Sequence, residues 1–220
     1  MTNLLFDYDG TLHDCLEIYE PAVRQAYDRL VDLRLVPPRQ WTREEVRTWI
    51  GLSPDEMWDL AAPGLPPEEK QRSIALVGAR MDELIRSGAA RLYPGVPQLL
   101  DALRQDGFRL LLLSNCPRRY LDAHEKAFGL SQYFDGLYCG EQFGYRPKYE
   151  IFRELRAQYE GEFLVIGDRA QDMEIAAKNG LRSIGCLYGY GREGELAGAD
   201  WLLGEPMELR ERLQNIHQFR

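Results

Sequence analysis

The feature that most constrains this chain is an alternation. Four short apolar runs, at residues 3–6, 109–113, 163–166 and 181–187, each pass through a polar or glycine turn into a stretch of helical periodicity. Strands buried on both faces read as such near-continuous apolar runs, so the alternation predicts an α/β fold: a parallel sheet with helices on both of its faces, three layers in all. Further strands are expected at residues 136–139 and 201–203. Helices are expected at 96–105, 118–128, 149–159, 170–179 and 207–216.

Between residues 15 and 91 the pattern changes. No strand-like alternation appears there, only helical stretches at 17–33, 43–50, 55–61 and 67–86. Val36-Pro37-Pro38, Ala62-Pro63-Gly64 and Leu65-Pro66-Pro67 break helices where connections would fall. The expected organisation is an α/β catalytic core from residues 1–14 and 92–220, interrupted by an all-helical insertion at 15–91.

Charge and cysteine usage exclude several function classes. The chain carries 27 basic and 35 acidic residues, a net charge of −8, with the basic residues scattered, so a nucleic-acid polymer is not an expected partner. The apolar run at 110–113 falls far short of the ~20 residues of a membrane helix. Asp7 and Asp9 precede any signal-peptide core, and the expected location is cytoplasmic. Cys15, Cys116, Cys139 and Cys186 form no C-x-x-C pair and read as reduced, buried thiols. His13, His124 and His217 lack the spacing that sets two imidazoles on one helix face, which disfavours a histidine-ligated zinc.

The chemistry-bearing residues follow the strands. Asp7 and Asp9 come directly after the first apolar run, and residues two apart in an extended segment face the same way, so two carboxylates crowd together and call for a cation. Ser114-Asn115 ends the second run and Gly167-Asp168 ends a later one. In an open parallel sheet ligands bind beyond the carboxyl ends of the strands, so these three loops are expected to converge on one pocket.

Asp7-Tyr8-Asp9-Gly10-Thr11 and Gly167-Asp168-Arg169-Ala170-Gln171-Asp172, in this order and spacing, resemble the haloacid dehalogenase-like hydrolase superfamily, in its branch with a helical cap inserted after the first strand. The resemblance spans essentially the whole chain and implies a flavodoxin-like, or Rossmann-like, core with the active site under the cap. It makes Asp7 the nucleophile that attacks phosphorus and Asp9 the general acid that protonates the leaving oxygen. That division suits the chemistry, since a carboxylate nucleophile must be ionised while its partner exchanges a proton. Mg²⁺ takes hard oxygen ligands, which suits the Asp7 carboxylate, the Asp9 main-chain carbonyl and the Asp168 carboxylate, with Asp172 behind them.

Ser114 and Asn115 match the family's hydroxyl-bearing motif and would bind phosphoryl oxygens. The cation facing Asp7 is Lys148 or Arg146. The commoner family register falls on Arg146-Pro147, whereas a second register places a lysine at Lys148, which is favoured here. Gly189-Tyr190-Gly191-Arg192-Glu193-Gly194 spells G-x-G-x-x-G, but too little chain follows for a dinucleotide-binding unit, and a mobile or tight surface loop is expected. Trp41, Arg43, Arg47, Trp49 and Trp58 are the candidates for specificity in the insertion, although aromatics at helical spacing usually belong to a core.

The resemblance implies a Mg²⁺-dependent phosphatase acting through an aspartyl-phosphate on a small phosphorylated metabolite, such as phosphoglycolate, a sugar phosphate or a nucleotide. The alternatives are a phosphomutase of the β-phosphoglucomutase type and a catalytically silent binding protein that keeps the fold.

Overall fold

The computed structural model describes residues 1–192 and 194–217, and the chain divides into two compact units, Met1–Asp14 with Leu92–Arg220, and Cys15–Arg91. The first unit is built on six strands: β1 (Thr2–Phe6), β2 (Arg109–Ser114), β3 (Gly136–Cys139), β4 (Glu162–Gly167), β5 (Arg182–Cys186) and β6 (Trp201–Leu203). All pairings are parallel and the spatial order is β3-β2-β1-β4-β5-β6. This is the parallel α/β sheet that the apolar runs predict.

Both faces of the sheet are buried, as its composition requires. Leu5, Leu111, Leu113, Phe163 and Val165 pack on one face with Ile151, Phe152 and Leu155 of α7 (Lys148–Arg156) and with Ile175 and Ala176 of α8 (Ala170–Asn179). The alternate residues Leu4, Phe6, Leu110, Leu112, Leu164 and Ile166 face the other way and are equally buried, with the Phe6 ring edge-on to Phe134 at 6.0 Å. Helices α5 (Val96–Gln105), α6 (Arg118–Phe128) and α9 (Glu208–His217) complete this unit. Tyr149, the expected start of a helix, is preceded in α7 by one further residue, Lys148.

The second unit is helical: α1 (Leu16–Asp32), α2 (Arg43–Arg47), α3 (Pro54–Ala61) and α4 (Pro67–Arg86). Helix α2 begins at a capping box, in which the Glu45 N–H donates to Thr42 Oγ1 (3.2 Å) and the Thr42 N–H donates to Glu45 Oε2 (2.7 Å). Ser53 and Glu56 do the same for α3. Helix α2 stops at Arg47, short of the expected residue 50, because the Trp49 and Ile50 amides bond only three residues back before Gly51 turns the chain with φ of 91°. Trp41, Trp49 and Trp58 are all buried, with Trp41 edge-on to both Tyr27 and Trp49. Among the described residues no helix is long and apolar enough to cross a membrane.

Candidate active site

From β1 the chain runs outward to β2 and β3, then returns to the other side of β1 for β4, β5 and β6, so the strand order reverses between β1 and β4. The carboxyl ends of strands at such a reversal leave a crevice, because the loops there depart in opposite directions. Asp7 follows β1, its amide still bonded to Ile166 O of β4 at 2.9 Å, and Asp168 follows β4. The Ser114 end of β2 lies on the other side of β1.

Asp7, Asp168 and Asp172 each bring one carboxylate oxygen to within 4.8 Å of the others, and none is more than 8% exposed. Lys148 is buried among them, its Nζ donating to Asp7 Oδ1 at 2.6 Å and to Asp172 Oδ1 at 2.7 Å. Burial, then the Asp172 charge, pushes Asp7 up to about 7 against the pull of Lys148. Burial and the charges of Asp7 and Asp172 raise Asp168 in the same sense. Burial works against the Lys148 charge, but Asp172 and Asp7 outweigh it and hold the ammonium protonated. Three carboxylates facing one ammonium leave a deficit of positive charge, and their oxygens are the donors a hard divalent cation takes. The cluster therefore fits such an ion.

The glycines around Asp168 are steric necessities. Gly10 turns with φ of 90°, and a Cβ there would lie 2.2 Å from Asp168 Oδ2. Of the run 189–194, expected as a mobile or tight surface loop, Arg192 and Gly194 are exposed, but its first residues turn inward. Gly189 and Tyr190 are buried, the Tyr190 amide donates to Asp168 Oδ2 at 2.7 Å, and a Cβ on Gly189 would come within 2.3 Å of Asp168 Cβ. Gly189 thus folds against the Asp168 side chain, and Gly191 against its main-chain oxygen, 2.1 Å from where a Cβ would lie. Glu193, in the same stretch, lies outside the described residues. Thr11 completes the holding of Asp168, donating its hydroxyl to Oδ1 at 3.1 Å.

Asp9 is directed elsewhere. Its Oδ1 accepts from His13 Nδ1 and from the Tyr120 hydroxyl, each at 2.8 Å, so its carboxylate is not part of the Asp7 cluster. Burial alone would raise Asp9, but the hydrogen bond and charge of His13, with His124 and Tyr120, hold it below the usual carboxylate range. Asn115 donates to Gln171 Oε1 at 2.7 Å, and Ser114 is buried at the end of β2. Burial pushes the Cys116 thiol up to about 12, against a hydrogen bond from Ser114, and Cys116 stays protonated.

The structure brings Asp7, Asp168, Asp172 and Lys148 together. It sets Arg146 apart, exposed and paired with Glu154 Oε1 at 2.7 Å. His13, Tyr120 and Tyr190 were not singled out by the sequence as site residues. A signal existed for His13, four residues after Asp9, but the chain there makes a turn in which the amides of Thr11, Leu12 and His13 all bond Tyr8 O.

A parallel sheet with acidic and cationic side chains gathered at its switch point places the protein among α/β enzymes that act at the carboxyl ends of their strands. The chain belongs to the haloacid dehalogenase-like hydrolase family, whose model matches residues 1–180, as the motifs around Asp7 and Asp168 imply. It is 28% identical over 228 residues to a phosphoglycolate phosphatase of Synechococcus elongatus, covering 98% of this chain and 99% of that protein. It is also 28% identical to a 5′-nucleotidase of Pseudomonas aeruginosa, over 88% of this chain and 86% of that one. The crystal structure of CbbY from Rhodobacter sphaeroides in complex with phosphate is similar at a TM-score of 0.72 and 26% identity, covering 94% of this chain and 95% of that one.

Proposed function

We propose that the protein is a Mg²⁺-dependent phosphatase of small phosphorylated metabolites that carries the phosphoryl group on Asp7. The observation that carries this reading is the buried cluster of Asp7, Asp168 and Asp172 with Lys148 at 2.6 Å from Asp7. Such a group of charges is expensive to bury and fits a site that receives a cation and an anion together. Similarity to a phosphoglycolate phosphatase and a 5′-nucleotidase supports a phosphate monoester as substrate.

Asp7 is the nucleophile. As its carboxylate oxygen bonds to phosphorus, the ester P–O bond breaks and the departing oxygen takes the proton that Asp9 carries. Water then attacks phosphorus and returns a proton to Asp9, while the bond to Asp7 breaks and phosphate leaves. His13 and Tyr120 favour the ionised form of Asp9, so it serves as donor after taking up a proton, which its 27% exposed side chain lets solvent supply. Lys148 draws Asp7 toward its ionised form and holds it in place, and Ser114 with Asn115 binds the phosphoryl oxygens. Asp7, Asp168 and the Asp9 main-chain carbonyl would hold Mg²⁺, with Asp172 orienting Lys148 and the Arg169 amide, to which it bonds at 2.7 and 3.0 Å. The bound ion supplies positive charge to the phosphoryl oxygens. All of this chemistry falls to the unit Met1–Asp14 with Leu92–Arg220, which is the catalytic core in this reading.

The test is phosphate release from a panel of phosphoglycolate, sugar phosphates and 5′-nucleotides, with Mg²⁺ and with chelator. Metal-dependent release from a member of the panel is expected. Its absence there and with p-nitrophenyl phosphate would leave a binding protein, and isomerised sugar phosphate from β-glucose 1-phosphate would make the enzyme a phosphomutase.

A further inference from the structure

Behind Asp9 lies a buried aromatic and imidazole cluster to which the reaction steps above assign nothing. His13 and His124 are both 0% exposed, with ring centroids 4.4 Å apart. Tyr8 stacks on His13 at 5.3 Å and 10°, and its hydroxyl lies 2.8 Å from His124 Nδ1. Burial, then the neighbouring His13, pushes His124 down to about 3, which keeps it a neutral wall. From this cluster His13 and Tyr120 reach Asp9, and both meet it at Oδ1.

A carboxylate oxygen accepts, so His13 holds its proton on Nδ1 and donates it. Its Nε2 has no hydrogen-bond partner among the described residues. Two donors on one oxygen fix the plane of the carboxyl group. A proton placed on Oδ1 would displace one of them, so the proton belongs on Oδ2.

We propose that His13 and Tyr120 are positioning residues for proton transfer, gripping Asp9 by Oδ1 so that Oδ2 is presented to the leaving oxygen of the phosphate ester. This rests on the reading of Asp9 as proton donor. The grip matters only in so far as the departing oxygen needs a proton, so it should be selective for poor leaving groups.

The experiment compares kcat/KM for glycerol 2-phosphate, an alkyl ester, with that for 2,4-dinitrophenyl phosphate, whose phenolate leaves unaided. Asp9→Asn serves as reference and should lose far more on the alkyl ester. Tyr120→Phe, which removes one hydroxyl, should lose about tenfold on the alkyl ester and little on the aryl ester. His13→Leu should behave alike, and His13→Asn, whose amide N–H can stand where Nδ1–H stood, should recover the ratio. If Asp9→Asn loses equally on both esters, the proton-donor reading falls and takes this inference with it. If Asp9→Asn is selective while Tyr120→Phe is not, the positioning role alone is overturned, whether or not His13→Leu folds.

Discussion

In the unit Met1–Asp14 with Leu92–Arg220, Asp7, Lys148, Asp168 and Asp172 are buried together around one crevice. Among the described residues of Cys15–Arg91 no charged side chain is buried; Arg43 reaches Glu17 and Glu20 from the surface, and Lys70 reaches Asp59. The unit's buried polar atoms include the Ser73 hydroxyl and the indole nitrogens of Trp41 and Trp58. Exposed ion pairs add little, since water solvates both partners whether or not they meet. Buried ones are costly to assemble and costlier to break, and they are concentrated in the unit proposed to carry the reaction.

Substitutions can break this contrast, and the largest effect belongs to Asp7. Asp7→Asn should lower phosphate release by at least about 10³-fold, to background, while the thermal transition remains cooperative; near wild-type turnover would remove Asp7 from the mechanism. Lys148→Met comes next, because it leaves Asp7 and Asp172 facing each other without an ammonium. Urea unfolding should show a loss of about 3–5 kcal/mol, alongside lost turnover. Arg146→Ala, at a surface pair with Glu154, is the control and should leave the rate within about twofold.

The cluster also predicts how pH acts on the metal-free protein. Asp7 sits at about 7 when folded against a usual 3.8, so between those values the folded state binds more protons than the unfolded one. Stability from this group is therefore present at low pH and declines as pH rises from about 4 to about 7. Asp9, held low, has the opposite sign, and its contribution is lost as pH falls below the usual carboxylate range. Denaturation at a series of pH values should show the first decline with chelator and its reduction with Mg²⁺; a flat profile with chelator would show that Asp7 is not raised, and a decline unchanged by Mg²⁺ that the carboxylates do not share that cation. The smallest effect is expected from Arg43→Ala in the helical unit, below about 1 kcal/mol and shrinking further with added salt.

Much of this was legible in the sequence, for reasons that differ by residue. The strands were readable because each is buried on both faces and so is apolar along its length, as Leu110 to Leu113 shows. Asp7 and Asp168 were readable because each directly follows such a strand, and Ser114 because it ends one. Where the sequence expectation and the structure part, the cause is contact between distant segments. Residues 189–194 spell G-x-G-x-x-G and read as a surface loop in one dimension, yet Gly189 and Gly191 leave room that Asp168, distant in sequence, occupies. His13 looks solitary because Tyr120 lies 107 residues away.

The periodicity of apolar residues, a local property, determined the α/β sheet, the helical insertion and the strand ends at which acidic residues would gather. Which cation meets Asp7 was left between Arg146 and Lys148, adjacent but for one proline, and only the tertiary structure separated them. Lys148 begins α7 and is carried under the sheet's carboxyl edge to two carboxylates, while Arg146 remains in the exposed turn before it. Spacing along the chain specifies which way a backbone runs, but a charge finds its partner through packing, and packing is decided by segments that the sequence holds far apart.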